Sequence, residues 1–162
     1  MKIILIGMPG CGKTTIGRQV AKRLGVKFID MDDEIEKREG RRISEIFEAD
    51  GEDYFRDAET ECLKSLLGGD GIISTGGGIV VRDENMEILK SCGVPVVFID
   101  RPLEKIMGDI NTSSRPLLKD GAERLKSLYA ARYNRYLSAA SVRIVNDKTR
   151  DDAAEEIIRN TN

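Results

Sequence analysis

"GMPGCGKTT", Gly7 to Thr15, follows directly on the apolar run Ile3-Ile4-Leu5-Ile6 and opens a charged stretch with helical spacing, Thr15 to Leu24. It satisfies G-x-x-x-x-G-K-[ST] with Gly7, Gly12, Lys13 and Thr14 in register, placed after an expected strand and before an expected helix. The glycines let successive backbone N–H groups turn inward, and the helix starting near Lys13 adds the positive end of its dipole. Gly10, Cys11, Gly12, Lys13, Thr14 and Thr15 therefore read as a cradle for the phosphates of a nucleotide. Lys13 is expected to reach the β and γ phosphates and the Thr14 hydroxyl to ligate Mg²⁺. The bland alternative is a turn that only links strand to helix. Cys11 reads as a small filler, or as a thiol made reactive by the helix N-terminus.

Outward from that loop, short β-branched runs recur at Lys2 to Ile6, Lys27 to Asp30, Gly71 to Ser74, Val94 to Asp100 and Val142 to Val145. Longer stretches with helical spacing, such as Asp83 to Ser91, separate them. This alternation predicts an α/β fold: a three-layer α/β/α sandwich around a five-stranded parallel sheet, of the P-loop NTPase type. Two segments fit the alternation poorly. Arg41 to Leu67 reads as consecutive helices with no strand between them, and Asn111 to Gly121 as a polar, basic, proline-containing loop. Ligands of such sheets bind at the carboxyl ends of the strands. A helical substrate-binding insertion is therefore expected over residues 31–67 and a short lid over residues 109–121. No repeat, low-complexity tract or linker divides the 162 residues, so residues 1–162 are expected to form one domain.

The composition narrows the chemistry. With 26 Lys+Arg against 28 Asp+Glu the formal charge is -2, which offers no excess positive charge for counterion release on a nucleic acid. Cys11, Cys62 and Cys92 lack C-x-x-C spacing and read as reduced cytoplasmic thiols. No apolar run has the length of a membrane span or the form of a signal peptide. Histidine is absent, so acid–base chemistry must rest on carboxylates or lysine.

"FIDMDDEIE" supplies those carboxylates: Asp30 ends the second expected strand, and Asp32 and Asp33 begin the next helix. One could hold Mg²⁺ through water while another accepts the proton of an attacking hydroxyl. Helix capping is an equal alternative, with Asp33 as the capping or solvated residue. In "YFRDAE", Arg56 and Glu59 share a helix face, so the pair is either a carboxylate fork held by Glu59 or an exposed ion pair. "IISTGGGIV" runs from a strand into Gly76, Gly77 and Gly78, where the backbone can approach a ligand closely or simply form a loop. Arg115 lies on the expected lid, where a closing loop could carry it onto a transferring phosphoryl group, and Arg132 and Arg135 lie on a later helix. For each arginine a solvated side chain is the alternative.

Together these features resemble the shikimate kinase family along nearly the whole chain. The matching residues are Gly7 to Thr14, Asp30-Met31-Asp32, Phe55-Arg56 with Glu59, Gly76-Gly77-Gly78, Arg115-Pro116-Leu117-Leu118, and Arg132 four residues before Tyr136. The resemblance implies a nucleoside-monophosphate-kinase-like fold and, with Mg²⁺, transfer of the ATP γ-phosphoryl group to the 3-hydroxyl of shikimate, in aromatic amino-acid (chorismate) biosynthesis. It implies Lys13, Asp32 and Arg115 as catalytic, with Asp32 the base that also binds the shikimate hydroxyls, and Asp30 supporting Mg²⁺ through water. Arg56 and Arg132 would clamp the carboxylate, the Gly76–Gly78 backbone would meet the acceptor, and Arg115 and Arg150 would face the nucleotide. A cytoplasmic monomer with no nucleic-acid or membrane partner is expected. The chain departs from the family at Asn134, where a proline is frequent, and before Arg115, where the usual adenine-facing arginine is replaced near Gly108 or Asp109. Two other readings remain. One is a related kinase of gluconate or a nucleoside monophosphate, and the other is a non-catalytic nucleotide switch.

Overall fold

Ile3, Ile4, Leu5 and Ile6 are all fully buried, as a strand covered by helices on both faces requires. Burying each such side chain contributes roughly 1.5–3 kcal/mol. In the computed structural model, which describes residues 1–111 and 119–162, this strand is the middle of a parallel sheet. The strands are β1 (Lys2–Ile6), β2 (Phe28–Asp30), β3 (Gly71–Ser74), β4 (Val96–Asp100) and β5 (Val142–Val145), in the spatial order β2-β3-β1-β4-β5. The helices are α1 (Lys13–Leu24), α2 (Met31–Glu39), α3 (Ile43–Leu66), α4 (Asp83–Ser91), α5 (Leu103–Asn111), α6 (Lys119–Ala139) and α7 (Arg150–Thr161). The α/β fold expected from the sequence is the fold observed.

The register brings the strand ends together. Leu5 and Asp30 both pair with Ser74, and Ile6 pairs with Phe98, so the loops after β1, β2, β3 and β4 emerge along one edge. Strand β4 begins at Val96 rather than at Val94, because Pro95 has no N–H to give a ladder, although its carbonyl still accepts from Ile4 N at 3.0 Å. Helix α1 buries Ile16, Val20 and Ala21, and its last turn carries Lys22 and Arg23, the favourable charge for that end.

Helices α2 and α3 follow one another between β2 and β3 with no strand between them, as the sequence predicts. Within α3 the run breaks at Gly51 (φ 86°, ψ 175°), so the segment bends there into two helical pieces. The expected loop over Asn111 to Gly121 is shorter at both ends. Asn111 closes α5, and Lys119 already opens α6, where Asp120 in the first turn suits the helix dipole. Arg115, and with it the middle of the expected lid, lies outside the described residues.

Candidate active site

The donor side is made largely of backbone. Gly12 caps α1 in a left-handed conformation (φ 104°) that a side chain would strain, and the following N–H groups sit at the helix's positive end. Lys13, 8% exposed, donates to Gly7 O at 2.7 Å and Met8 O at 2.9 Å. Thr14 and Thr15 are exposed on the same loop. A cavity of about 610 Å³ opens over Gly10 to Thr15 and continues to Arg101, Asp109, Asn146, Lys148 and Arg150. Cys11 is fully buried with Sγ 3.6 Å from Lys13 Nζ, so it is a filler and not an accessible thiol.

Three residues of this cavity went unnoticed in the sequence. Asn146, directly after β5, donates through Nδ2 to Cys11 O at 2.9 Å and through its backbone N–H to Asp100 O at 2.9 Å. Arg101, directly after β4, donates to Asn146 O at 2.8 Å and to Asp109 Oδ2 at 2.9 Å. Lys148 adds a further cation. The available signal was position: each lies at the carboxyl end of a strand, the ligand-binding end of such sheets. Arg150, expected near the nucleotide, opens α7 and lines the same cavity.

The side expected to take the acceptor is made of buried charge. Arg56 is 8% exposed and Glu59 1%, so the pair is not a solvated surface bridge. Arg56 Nη1 donates to Glu59 Oε1 at 3.0 Å, and Nη2 lies 3.3 Å from Glu52 Oε1 on the solvent side. Burial raises the Glu59 carboxyl above its ordinary value, while Arg56 and then Arg132 oppose the rise. Asp32 is half-buried, and its carboxyl is likewise raised, first by burial and then by Asp30, against the pull of Lys13. Of the two roles expected for Asp33, capping or solvated, the second holds. Asp30 caps α2, accepting the Asp33 N–H at 3.2 Å, while Asp33 itself is exposed. Of the two arginines of this helix, Arg135 donates to Val80 O at 2.6 Å and to Asp83 Oδ1 at 2.7 Å. Arg132 lies close enough to Glu59 and Tyr136 to act on both electrostatically.

Gly76, Gly77 and Gly78 form the seam between the two sides. A Cβ on Gly76 would lie 2.9 Å from Asp32 Oδ1, one on Gly77 would lie 2.6 Å from Pro9 Cδ, and one on Gly78 would overlap the Arg56 guanidinium. The close approach that these glycines permit is made here by Asp32, Pro9 and Arg56. As for a metal, Thr14 and Asp30 offer hard oxygens that suit Mg²⁺, which takes few protein ligands and completes its shell with phosphate and water. Among the described residues no cluster of three or more His, Cys, Asp or Glu could hold a metal ion.

The model of one protein family, described as shikimate kinase, matches residues 9–162. A shikimate kinase of Clostridium botulinum (strain Alaska E43 / Type E3) is 54% identical over 157 residues, covering 96% of this chain and 94% of that protein. A shikimate kinase of Clostridium beijerinckii is 48% identical over 157 residues, covering 96% and 92%. Among solved structures, shikimate kinase from Acinetobacter baumannii in complex with shikimate superposes with a TM-score of 0.88 at 34% identity, covering 98% of this chain and 90% of that one.

Proposed function

This chain belongs to the shikimate kinase family, and from that premise we propose that it transfers the γ-phosphoryl group of ATP to the 3-hydroxyl of shikimate, giving shikimate 3-phosphate and ADP. The observation that carries the reading is the seam: phosphate loop, acidic residue and buried arginine fork all meet on Gly76, Gly77 and Gly78. A nucleotide switch has no use for a desolvated Arg56–Glu59 pair beside its phosphate site. A kinase acting on a small carboxylic acid needs one.

The donor lies in the cavity above Gly10 to Thr15 with its phosphates on the loop N–H groups, and Lys13 leaves the Gly7 and Met8 carbonyls for the β and γ oxygens. The shikimate carboxylate takes the outer edge of Arg56 together with Arg132, because a planar fork fixes direction as well as charge. That places the ring beside Asp32. The 3-hydroxyl oxygen attacks Pγ, the Pγ–O bond to ADP breaks, and Asp32 takes the hydroxyl proton; its raised affinity for a proton suits that task. Thr14 and Asp30 would hold Mg²⁺, Asp30 through water, and the ion would neutralise charge on the phosphate oxygens. Arg115 is assigned to the transferring phosphoryl group and Arg150 to the nucleotide, on the family pattern. Residues 1–162 act as one kinase domain with an acceptor insertion over 31–67 and a lid over 109–121, working as a cytoplasmic monomer. Among the described residues no helix is long and apolar enough to cross a membrane.

The test is ADP formation from MgATP with shikimate, quinate, gluconate and nucleoside monophosphates offered separately, beside an acceptor-free control. Turnover with shikimate alone is expected. Turnover only with another acceptor overturns the substrate, and ATP binding without acceptor-stimulated turnover overturns the enzyme.

A further inference from the structure

Tyr136 is fully buried, yet its hydroxyl is not spent on filling space. It donates to Gly77 O at 2.5 Å and lies 3.9 Å from Met8 Sδ, while its ring stacks on Phe98 at 5.2 Å between centroids. Arg132 sits beside the hydroxyl, one helical turn earlier on α6. The group therefore stands where the phosphate loop, the glycine seam and the helix carrying the second arginine converge. No peptide bond of the described chain is cis. The Gly78 N–H therefore lies anti to the Gly77 carbonyl in the same plane and points away from Tyr136. Fixing that carbonyl fixes the direction of that N–H. Without the hydroxyl, the Gly77–Gly78 peptide loses the donor that sets its orientation, and Arg132 loses a polar neighbour.

We propose that Tyr136 is a positioning residue of the acceptor site, which through its bond to Gly77 O orients the Gly77–Gly78 peptide and steadies Arg132 for the acceptor carboxylate. It touches neither substrate. The proposal rests on the reading of Arg132 and the glycine seam as acceptor groups. Tyr136→Phe removes the hydroxyl and keeps the ring on Phe98, whereas Phe98→Leu removes the stacked ring and keeps the hydroxyl. Steady-state kinetics of both variants, with shikimate and ATP varied in turn and thermal unfolding in parallel, separate the two contributions.

For Tyr136→Phe the shikimate KM should rise about fivefold or more, the effect of losing one well-placed hydrogen bond, with the ATP KM within about twofold of wild type. Phe98→Leu should lower Tm and leave the shikimate KM in place. An unchanged shikimate KM in Tyr136→Phe, equal rises in both KM values, or loss of the folded state would each overturn the proposal, the last because the hydroxyl would then be holding the fold. Absence of shikimate-dependent ADP formation in the wild-type protein would instead end the functional reading on which it rests.

Discussion

The two halves of the proposed site are built from different materials. On the donor side the binding groups are backbone N–H groups and a helix end, set by glycine conformation and lined by exposed Thr14 and Thr15. On the acceptor side they are side chains taken out of water: Arg56, Glu59, half-buried Asp32 and, behind them, Tyr136. A backbone site is spelled in one contiguous run of sequence and carries little folding cost. A site of buried charge is scattered over α2, α3, the β3 turn and α6, and each member depends on its partner staying in place. Substitutions on the donor side should therefore act on nucleotide and rate with little effect on stability, whereas those that break the buried Arg56–Glu59 pair should disturb binding and folding together.

The hardest test of that division is Lys13→Met. Turnover should fall by more than about 10³-fold, because a preorganised cation on the transferring phosphates is lost, while Tm changes little. Measurable turnover near the wild-type rate would remove Lys13 from the chemistry. Next is Asp32→Asn, which should lower kcat by about 10²–10⁴-fold and leave the ATP KM nearly unchanged. Its pH behaviour sharpens the comparison. Because burial raises the folded-state affinity of Asp32 for a proton, the folded protein binds more protons than the unfolded chain between the ordinary carboxylate value and the raised one. This contribution to stability is present at low pH and lost as pH rises, whereas activity needs the ionised form and falls as pH drops through the same window. The asparagine variant should thus lose the acid limb of kcat/KM and be at least as stable as wild type at neutral pH. A lower Tm there would contradict the sign.

A smaller effect should separate the members of the arginine fork. Arg56→Lys should raise the shikimate KM about tenfold, since a point charge does not replace a planar fork. Glu59→Ala should raise the same KM and also lower Tm, because it removes the buried acceptor and leaves Arg56 with only the solvent-side Glu52; the loss is about 3 kcal/mol, with each kcal/mol shifting Tm by about 2–4 °C at this chain length. Equal Tm values for wild type and Glu59→Ala would show that the pair is not a folding element. The smallest change is expected from Asn146→Ala, which frees the Cys11 carbonyl and should raise the ATP KM about fivefold with the shikimate KM unchanged.

The same contrast governs what could be read from the chain alone. Strands were legible because β-branched runs end at glycines or polar residues, and the phosphate loop because its spacing is its function. The helical insertion was legible as an absence of strand signal between Arg41 and Leu67, but the bend at Gly51 was not, since one glycine in a helical pattern has several uses. Asp30 and Asp33 could not be ranked as caps by composition, because capping depends on which residue keeps an extended backbone, and Asp30 does (φ -93°, ψ 117°). Arg101 and Asn146 escaped notice because each is a lone residue after a strand, with no periodic neighbours to mark it. Arg132 is proposed as the second acceptor arginine, and the engagement of Arg135 by Val80 O and Asp83 Oδ1 supports it.

Lys13 makes the cost of recognition a property of the fold. Its ammonium already rests on the Gly7 and Met8 carbonyls, largely out of water. The chain has frozen this long side chain and stripped its hydration before any nucleotide arrives. Arrival of a phosphate then exchanges neutral dipoles for anionic oxygens at an already dry, already ordered cation, so most of the entropy loss falls on folding and little on association. Such a lysine is confined and dehydrated before the nucleotide arrives, and has only to exchange the Gly7 and Met8 carbonyls for phosphate oxygens.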